Sequence, residues 1–214
     1  KSKSHRDPLV EVVAVFAIFL GSVFAFGADT AQPKETIQPV VKRSYVVPSG
    51  KPENLVTNLA APWELVFLPD GMALVDERDT GTILQIDQDL NVKQVAFTST
   101  KPPCEKFCEG GTLGMTYAAD RIGNQLSLFV FLTTDKDNRI LKYDLDKVDG
   151  NWQLSNERVL RKGIDRSGKS TTHNGGRLAI GPDGKLWVSL GDAGMRASTS
   201  QSWDRLGGSI LRLN

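Results

Sequence analysis

From about residue 60 onward, the apolar residues fall in short runs separated by turn residues. The runs are rich in β-branched and aromatic types and are bounded by Gly, Pro, Asp or Asn, which predicts β-strands joined in hairpins. No stretch of this region keeps a long 3.6-residue period, so no substantial helix is expected. The predicted strands are ELVFL (64–68), MALVDE (72–77), TILQID (82–87), LSLFVFLTT (126–134), RILKYDL (139–145), RLAI (177–180), KLWVSL (185–190) and SILRLN (209–214).

The strand pattern also repeats along the chain. LPDGMALV (68–75) resembles GPDGKLWV (181–188), and GTILQID (81–87) resembles GSILRLN (208–214), with NRILKYD (138–144) as a third version. A recurring strand–turn–strand unit predicts an all-β fold built radially, for which the β-propeller is the leading case. At about 50 residues per blade, residues 46–214 hold about three blades, so further blades are expected beyond Asn214.

The N-terminus has a different pattern. Lys1, Lys3 and Arg6 precede an apolar run from 9 to 26, and small residues follow at Ala25 and Gly27. A charged start, an apolar run and a small-x-small exit predict a secretory signal peptide over 1–27, with an uncleaved membrane anchor as the alternative. Either interpretation places the protein in a secreted or periplasmic setting. Residues 28–45, with two prolines and few large apolar residues, are expected to be a linker.

The charge balance bears on possible partners, and the cysteine usage agrees with export. The 26 basic and 25 acidic residues nearly cancel, which gives no electrostatic argument for nucleic acid or an anionic membrane surface as a partner. Cys104 and Cys108 are expected to form a disulfide in an oxidising compartment, although two free thiols are the alternative. Two thiolates alone do not make a zinc site.

A phosphate-loop pattern, GIDRSGKS at 163–170, fits G-x-x-x-x-G-K-[ST] letter for letter. That motif needs a preceding buried parallel strand and a following helix whose N-terminal amides bind phosphate. The downstream residues TTHNGGRLAIGPDG contain adjacent glycines and a proline, so no helix is expected there. We therefore interpret the segment as a polar connection between strands.

His173 is the candidate for chemistry, because the other histidine, His5, lies in the signal segment. If 177–181 and 185–190 pair as a hairpin, His173 and Asp192 emerge at the same end of it. A carboxylate beside an imidazole fixes its tautomer and raises its basicity, which is the arrangement of a general base. A histidine in a Gly-rich turn is often only a turn residue, so this alternative stays open here.

The chain resembles the glucose/sorbosone dehydrogenase family over about residues 53–214. The resemblance is carried by HNGGRL from His173, GPDGKL from Gly181, GDAG from Gly191 and GSILRLN from Gly208, with weaker matches in APWELVFLPDGMALVDE (61–77) and EGGTLGMTY (109–117). The resemblance implies a secreted six-bladed β-propeller quinoprotein that uses pyrroloquinoline quinone (PQQ) and Ca²⁺. Its expected reaction is the oxidation of an aldose at C1, with electrons passed to an external acceptor.

The resemblance also implies roles for individual residues. His173 corresponds to the general base, and Asp192 to the carboxylate that supports it. Glu109 and Thr172 correspond to positions near the substrate, although Thr172 stands where glucose enzymes carry an acidic residue. The residues that clamp the quinone and its calcium are implied to lie beyond Asn214, so the chain alone is expected to be inactive. The competing function is a non-catalytic propeller that binds a protein or a glycan.

Overall fold

In the ranges given next, strands make up nearly all of the regular structure and no α-helix occurs. The computed structural model describes residues 50–98, 109–119, 125–166, 172–194 and 200–214. The strands are β1 (Pro62–Phe67), β2 (Ala73–Glu77), β3 (Thr82–Ile86), β4 (Val92–Phe97), β5 (Thr112–Ala119), β6 (Leu126–Thr133), β7 (Asn138–Val148), β8 (Asn151–Ile164), β9 (Gly175–Ile180), β10 (Leu186–Leu190) and β11 (Ile210–Leu213).

Each sheet is a meander in which strands adjacent in sequence are hydrogen-bonded neighbours. The first sheet has the order β1-β2-β3-β4, the second β5-β6-β7-β8 and the third β11-β10-β9. All described pairs are antiparallel. The eight predicted strands are all present. The prediction omitted β4, β5 and β8, of which β4 and β8 are largely exposed and so lack a long apolar run.

The repeated P-D-G turns have the same geometry in the first and third sheets. Gly71 and Gly184 take φ of 85° and 70°, a region that favours glycine. Each glycine donates its N–H to the carbonyl of the residue before the proline, at 3.0 Å and 2.9 Å. The sequence repeat therefore corresponds to a structural repeat, with equivalent turns joining β1 to β2 and β9 to β10.

The second sheet is covered on both faces. Leu128 and Val130 belong to the core shared with the first sheet, whereas Phe131 belongs to the core shared with the third. Because side chains alternate across a strand, β6 supplies both cores. The first strands of the sheets are neighbours, since β5 contacts β1 and β9. Face-to-face meanders arranged around their first strands form part of a β-propeller, here three sheets, as the sequence predicts.

Several sequence predictions fall outside the described residues. These are the signal or anchor segment and the linker over 1–45, the Cys104–Cys108 disulfide, and the GKS end of the phosphate-loop pattern. Within the described ranges, we find no helix with the length and apolar character to cross a membrane. The start of the phosphate-loop pattern, Gly163, lies at the end of β8, which is antiparallel to β7 rather than parallel to a buried neighbour. This context supports the interpretation as a connection between strands.

Of the three buried acidic residues in the first sheet, Asp76 is the most deeply buried. Asp76 is fully buried on β2; its Oδ1 accepts a hydrogen bond from the Glu64 backbone N–H at 2.7 Å, and its Oδ2 has no partner among the described residues. Burial, reinforced by the nearby charge of Glu64, raises the pKa of Asp76 to about 8. Asp76 is therefore mostly protonated at neutral pH, and ionising it costs folding free energy.

We predict that Asp76→Asn removes a pH-dependent loss of stability. The unfolded state releases the Asp76 proton near pH 4, while the folded state keeps it to about pH 8. The free energy of unfolding should therefore fall with rising pH in this window, by up to about 1.4 kcal/mol per pH unit. In denaturant unfolding from pH 4 to 9, the free energy of unfolding of the variant should increase relative to that of the parent as the pH rises. Asp79→Asn removes an exposed carboxylate as control, and parallel curves for Asp76→Asn and parent would contradict the prediction.

Candidate active site

The residue His173 lies just before β9 in a backbone conformation that is uncommon for a side-chain-bearing residue, with φ of 53°. Its backbone N–H donates to a carboxylate oxygen of Glu109 at 2.7 Å, and its carbonyl accepts from the Ala193 N–H at 2.9 Å. These bonds fix the main chain on both sides of the imidazole. The side chain itself remains 62% exposed, so it is accessible to a ligand.

The imidazole pairs with Asp192, as the predicted hairpin requires. His173 Nδ1 lies 3.0 Å from Asp192 Oδ1, and the Gly194 N–H donates to the same oxygen at 3.0 Å. The hydrogen bonds from Gly194 and His173 lower the pKa of Asp192, so its carboxylate is ionised at neutral pH and can only accept. Nδ1 therefore carries the proton, and Nε2 is the atom left to accept one.

Two glycines allow the hairpin to bring these residues together. A Cβ on Gly191 would collide with the His173 carbonyl, and one on Gly175 would lie 2.5 Å from the Gly191 nitrogen. The Gly191 N–H donates to the Asn174 carbonyl at 3.2 Å, which continues the pairing of β9 and β10 past their ends. Glycine is needed here for close approach of two main chains.

The other sequence-predicted site residues lie in the same place. Glu109, in the segment before β5, reaches the His173 backbone with its carboxylate, and Thr172 is the half-buried residue that precedes His173. Three segments of the chain thus meet at His173: Glu109 bonds to its backbone, Thr172 precedes it, and Asp192 bonds to its imidazole. That Glu109 and Thr172 contact substrate stays a prediction.

A pair of buried amide side chains next to His173 in the fold was not predicted from the sequence. Asn174 is buried, and its Oδ1 accepts a hydrogen bond at 3.1 Å from Nδ2 of Asn138, at the start of β7. The same Nδ2 donates to the Asp165 carbonyl at 2.7 Å. Asn138 therefore ties the His173 segment to the neighbouring sheet. From the sequence, Asn138 is identified only as the first residue of the repeat NRILKYD (138–144).

A cation and a carboxylate also lie on the first strands of the sheets. Arg177 on β9 donates from Nη1 to both carboxylate oxygens of Glu64 on β1, at 2.8 and 2.6 Å. The Arg177 side chain is 68% exposed, which leaves its other donors available. No group of three or more His, Cys, Asp or Glu suited to a metal ion occurs in the described part of the chain.

We predict that Asn138→Leu disturbs the His173 tautomer as well as stability. Removing the amide takes away the hydrogen bonds that Asn138 Nδ2 gives to Asn174 Oδ1 and the Asp165 carbonyl, at a cost of about 1–3 kcal/mol. With the His173 segment released, nitrogen NMR of the imidazole should show less of the Nδ1-protonated form. The matched control is Gln85→Leu, which removes another buried amide that accepts from Trp152 N at 2.8 Å, away from His173. If both variants shift the tautomer equally, or neither does, Asn138 has no specific effect on His173.

Known proteins resemble this chain in sequence and in fold. The profile of the Glucose / Sorbosone dehydrogenase family matches residues 59–214. The quinoprotein glucose dehydrogenase B of Acinetobacter calcoaceticus is 25% identical over 150 residues, covering 65% of this chain and 30% of that protein.

Two solved structures are similar over about three quarters of this chain. The PQQ-bound aldose sugar dehydrogenase of Streptomyces coelicolor has a TM-score of 0.63 and 33% identity, covering 74% of this chain and 46% of its own. An oxidoreductase (glucose dehydrogenase) of Thermus thermophilus has a TM-score of 0.62 and 32% identity, covering 76% and 46%. The chain thus spans less than half the length of these relatives. Matching the family profile over most of its length, the chain belongs to the glucose/sorbosone dehydrogenase family.

Proposed function

We propose that the protein takes part in PQQ-dependent oxidation of an aldose at its C1 hydroxyl, giving the lactone. The observation that carries the proposal is the His173–Asp192 pair, an exposed imidazole whose Nδ1 is held by an ionised carboxylate. Family membership and the PQQ-bound relative support the cofactor and the sugar class. Two further parts of the proposal are an external electron acceptor, which rests on the family resemblance, and a setting outside the cytoplasm, which rests on the N-terminal sequence pattern.

The chain's own contribution is to hold and move a proton. Nε2 of His173 is the free acceptor atom, so it takes the proton of the C1 hydroxyl as the C1–H bond breaks. Asp192 stabilises the imidazolium that results and keeps the ring in one orientation. Glu109 already accepts a hydrogen bond from the His173 backbone through one oxygen, Oε2, and its other carboxylate oxygen is assigned to a substrate hydroxyl.

The described residues meet part of what PQQ requires. The quinone supplies the hydride acceptor when bound. It is an anionic tricarboxylate, and Arg177 offers one exposed guanidinium on the first strand of the third sheet, already shared with Glu64. A single shared cation does not balance several carboxylates, so we assign no PQQ ligand.

The described residues do not fit Ca²⁺ at this site. Ca²⁺ takes six to eight oxygen ligands, usually including several carboxylates. The described ranges contain no cluster of three candidate ligands. We therefore assign no calcium ligand and derive no step through the ion.

We predict that residues 28–214, purified and supplied with PQQ and Ca²⁺, do not oxidise an aldose, because we assign no PQQ ligand and the described ranges contain no cluster of three candidate calcium ligands. Dye reduction is the measurement. Reduction above the rate of a heat-denatured sample would show that this part of the chain suffices.

We predict that His173→Gln lowers kcat by about 10²- to 10⁴-fold, the usual contribution of a general base. The measurement is dye-coupled turnover of an aldose by the longest natural form of the protein that carries this chain. Asp192→Asn should lower kcat less, because the base remains but the asparagine amide can favour the wrong tautomer. Lys185→Gln, in the turn at the far end of the hairpin, is the control. Undiminished turnover in His173→Gln would exclude the base assignment.

A further inference from the structure

Asp165, the residue after β8, is hydrogen-bonded through both its carboxylate and its carbonyl to other parts of the chain. Its Oδ2 accepts the N–H groups of Leu206 and Gly207 at 3.0 and 2.9 Å. Its Oδ1 pairs with Nη1 of Arg205 at 3.1 Å, and its carbonyl accepts from Nδ2 of Asn138 at 2.7 Å. The Asp165 side chain is only 14% exposed, so these bonds are largely shielded from water. Asp165 thus joins the start of β7 to the segment before β11.

The carbonyl of Asp165 is linked to the His173 side of the pair. Asn138, which donates to that carbonyl, also donates from the same Nδ2 to Asn174 Oδ1 at 3.1 Å. Asn174 is buried and directly follows His173 in the chain, so its position limits where the imidazole can lie. The main chain of Asp165 therefore contributes to the position of His173.

The carboxylate of Asp165 is linked to the Asp192 side of the pair. It accepts the Gly207 N–H, and the next N–H along the chain, that of Gly208, donates to the Gly191 carbonyl at 2.8 Å. A Cβ on Gly207 would lie 3.4 Å from both Asp165 Oδ2 and the Gly191 oxygen, so Gly207 fits closely between the two. Since Asp192 directly follows Gly191, the carboxylate fixes the turn that carries Asp192.

The position of the Asp165 oxygens matters more than their charge. Burial alone would raise the pKa of Asp165, but the hydrogen bonds from the Gly207 N–H, Arg205 and the Leu206 N–H lower it. The carboxylate is therefore ionised at neutral pH and accepts hydrogen bonds without donating one. Its charge is already compensated by Arg205, whereas the two N–H groups need an oxygen at one particular place.

Carboxylates that hold a turn are common, and Asp183 in the same hairpin is an example. It accepts the backbone N–H two residues further on at 3.1 Å and pairs with Nε of Arg212 at 2.6 Å. Asp183 lies in the turn between β9 and β10, at the end of the hairpin away from His173. Asp165 differs because its partners are connected in turn to the chain neighbours of both His173 and Asp192.

We propose that Asp165 is a positioning residue that keeps His173 and Asp192 at hydrogen-bond distance from each other. An ion pair or hydrogen bond between two solvent-accessible side chains is weak by itself, so it depends on main chains that are held in place. Asp165 acts through the two segments that carry the pair rather than through contact with a reacting atom. Its effect on a reaction at His173 rests on the proposed function, whereas its effect on the geometry of the pair does not.

Two conservative substitutions separate position from charge. Asp165→Asn keeps an oxygen for the Leu206 and Gly207 N–H groups but removes the charge, whereas Asp165→Glu keeps the charge but moves it one carbon further from the main chain. Nitrogen NMR of the longest natural form that carries this chain, at a pH where the imidazole is neutral, gives the ratio of Nδ1- to Nε2-protonated His173. Asp165→Glu should lower this ratio about threefold, as expected for loss of an exposed pair, and Asp165→Asn should retain most of it.

The matched control is Asp183→Glu, which moves a carboxylate with similar partners at the far end of the hairpin and should leave the ratio unchanged. Asp165→Asn lowering the ratio as much as Asp165→Glu, or more, would assign the effect to charge and overturn the proposal. An unchanged ratio in both Asp165 variants would overturn it as well. An equal decrease in Asp183→Glu would show a general loosening of the hairpin rather than a role of Asp165.

Turnover separates this proposal from the proposed function. In an active enzyme, Asp165→Glu should lower kcat for an aldose by about 10- to 100-fold, the usual effect of disturbing the support of a reacting group, while Asp183→Glu leaves kcat unchanged. A lowered tautomer ratio in a protein whose turnover does not depend on His173 would refute the function and leave the positioning role standing. An unchanged ratio in Asp165→Glu, together with His173-dependent turnover, would refute the positioning role and leave the function standing.

Discussion

The close contact between the backbones at Gly191 and His173 is the constraint on which the site depends. The ends of β9 and β10 continue to hydrogen-bond past Leu190, through Asn174 with Gly191 and through His173 with Ala193. The side chains two residues beyond each strand end, those of His173 and Asp192, are thereby placed opposite one another. The His173–Asp192 bond follows from main-chain geometry, so the imidazole can be exposed without losing its orientation.

That geometry in turn depends on packing between sheets. The second sheet supports the third through the core that contains Phe131 and Val188, and Gly176 lies so close to the Phe131 ring that a Cβ would collide with it. Asn138 adds a hydrogen bond across the same boundary. The apolar core sets the distance between the two sheets. The buried amide of Asn138 then fixes the position of the His173 segment relative to the second sheet.

The strands with apolar runs, the repeated P-D-G turns and the His173–Asp192 pair could be predicted from the sequence, because each has a recognisable local pattern of residues. β8 was omitted because an exposed edge strand needs no apolar alternation, and its residues from Ser155 to Gly163 are exposed. Asn138 and Asp76 were omitted for a different reason. A buried polar residue is defined by partners distant in sequence, and neither Asn138–Asn174 nor Asp76–Glu64 has a characteristic spacing.

The carboxyl groups of Asp192 and Asp76 have opposite roles. Asp192 is exposed enough to remain ionised, and its charge is directed at an imidazole that can accept a proton. Asp76 is buried deeply enough to remain mostly neutral, next to Glu64, whose charge is matched by Arg177. Ionising both Asp76 and Glu64 would place two negative charges beside one cation in a region that excludes water. Burial therefore separates the two carboxylates. Asp192 can support proton transfer at His173, whereas Asp76 stays mostly neutral inside the first sheet.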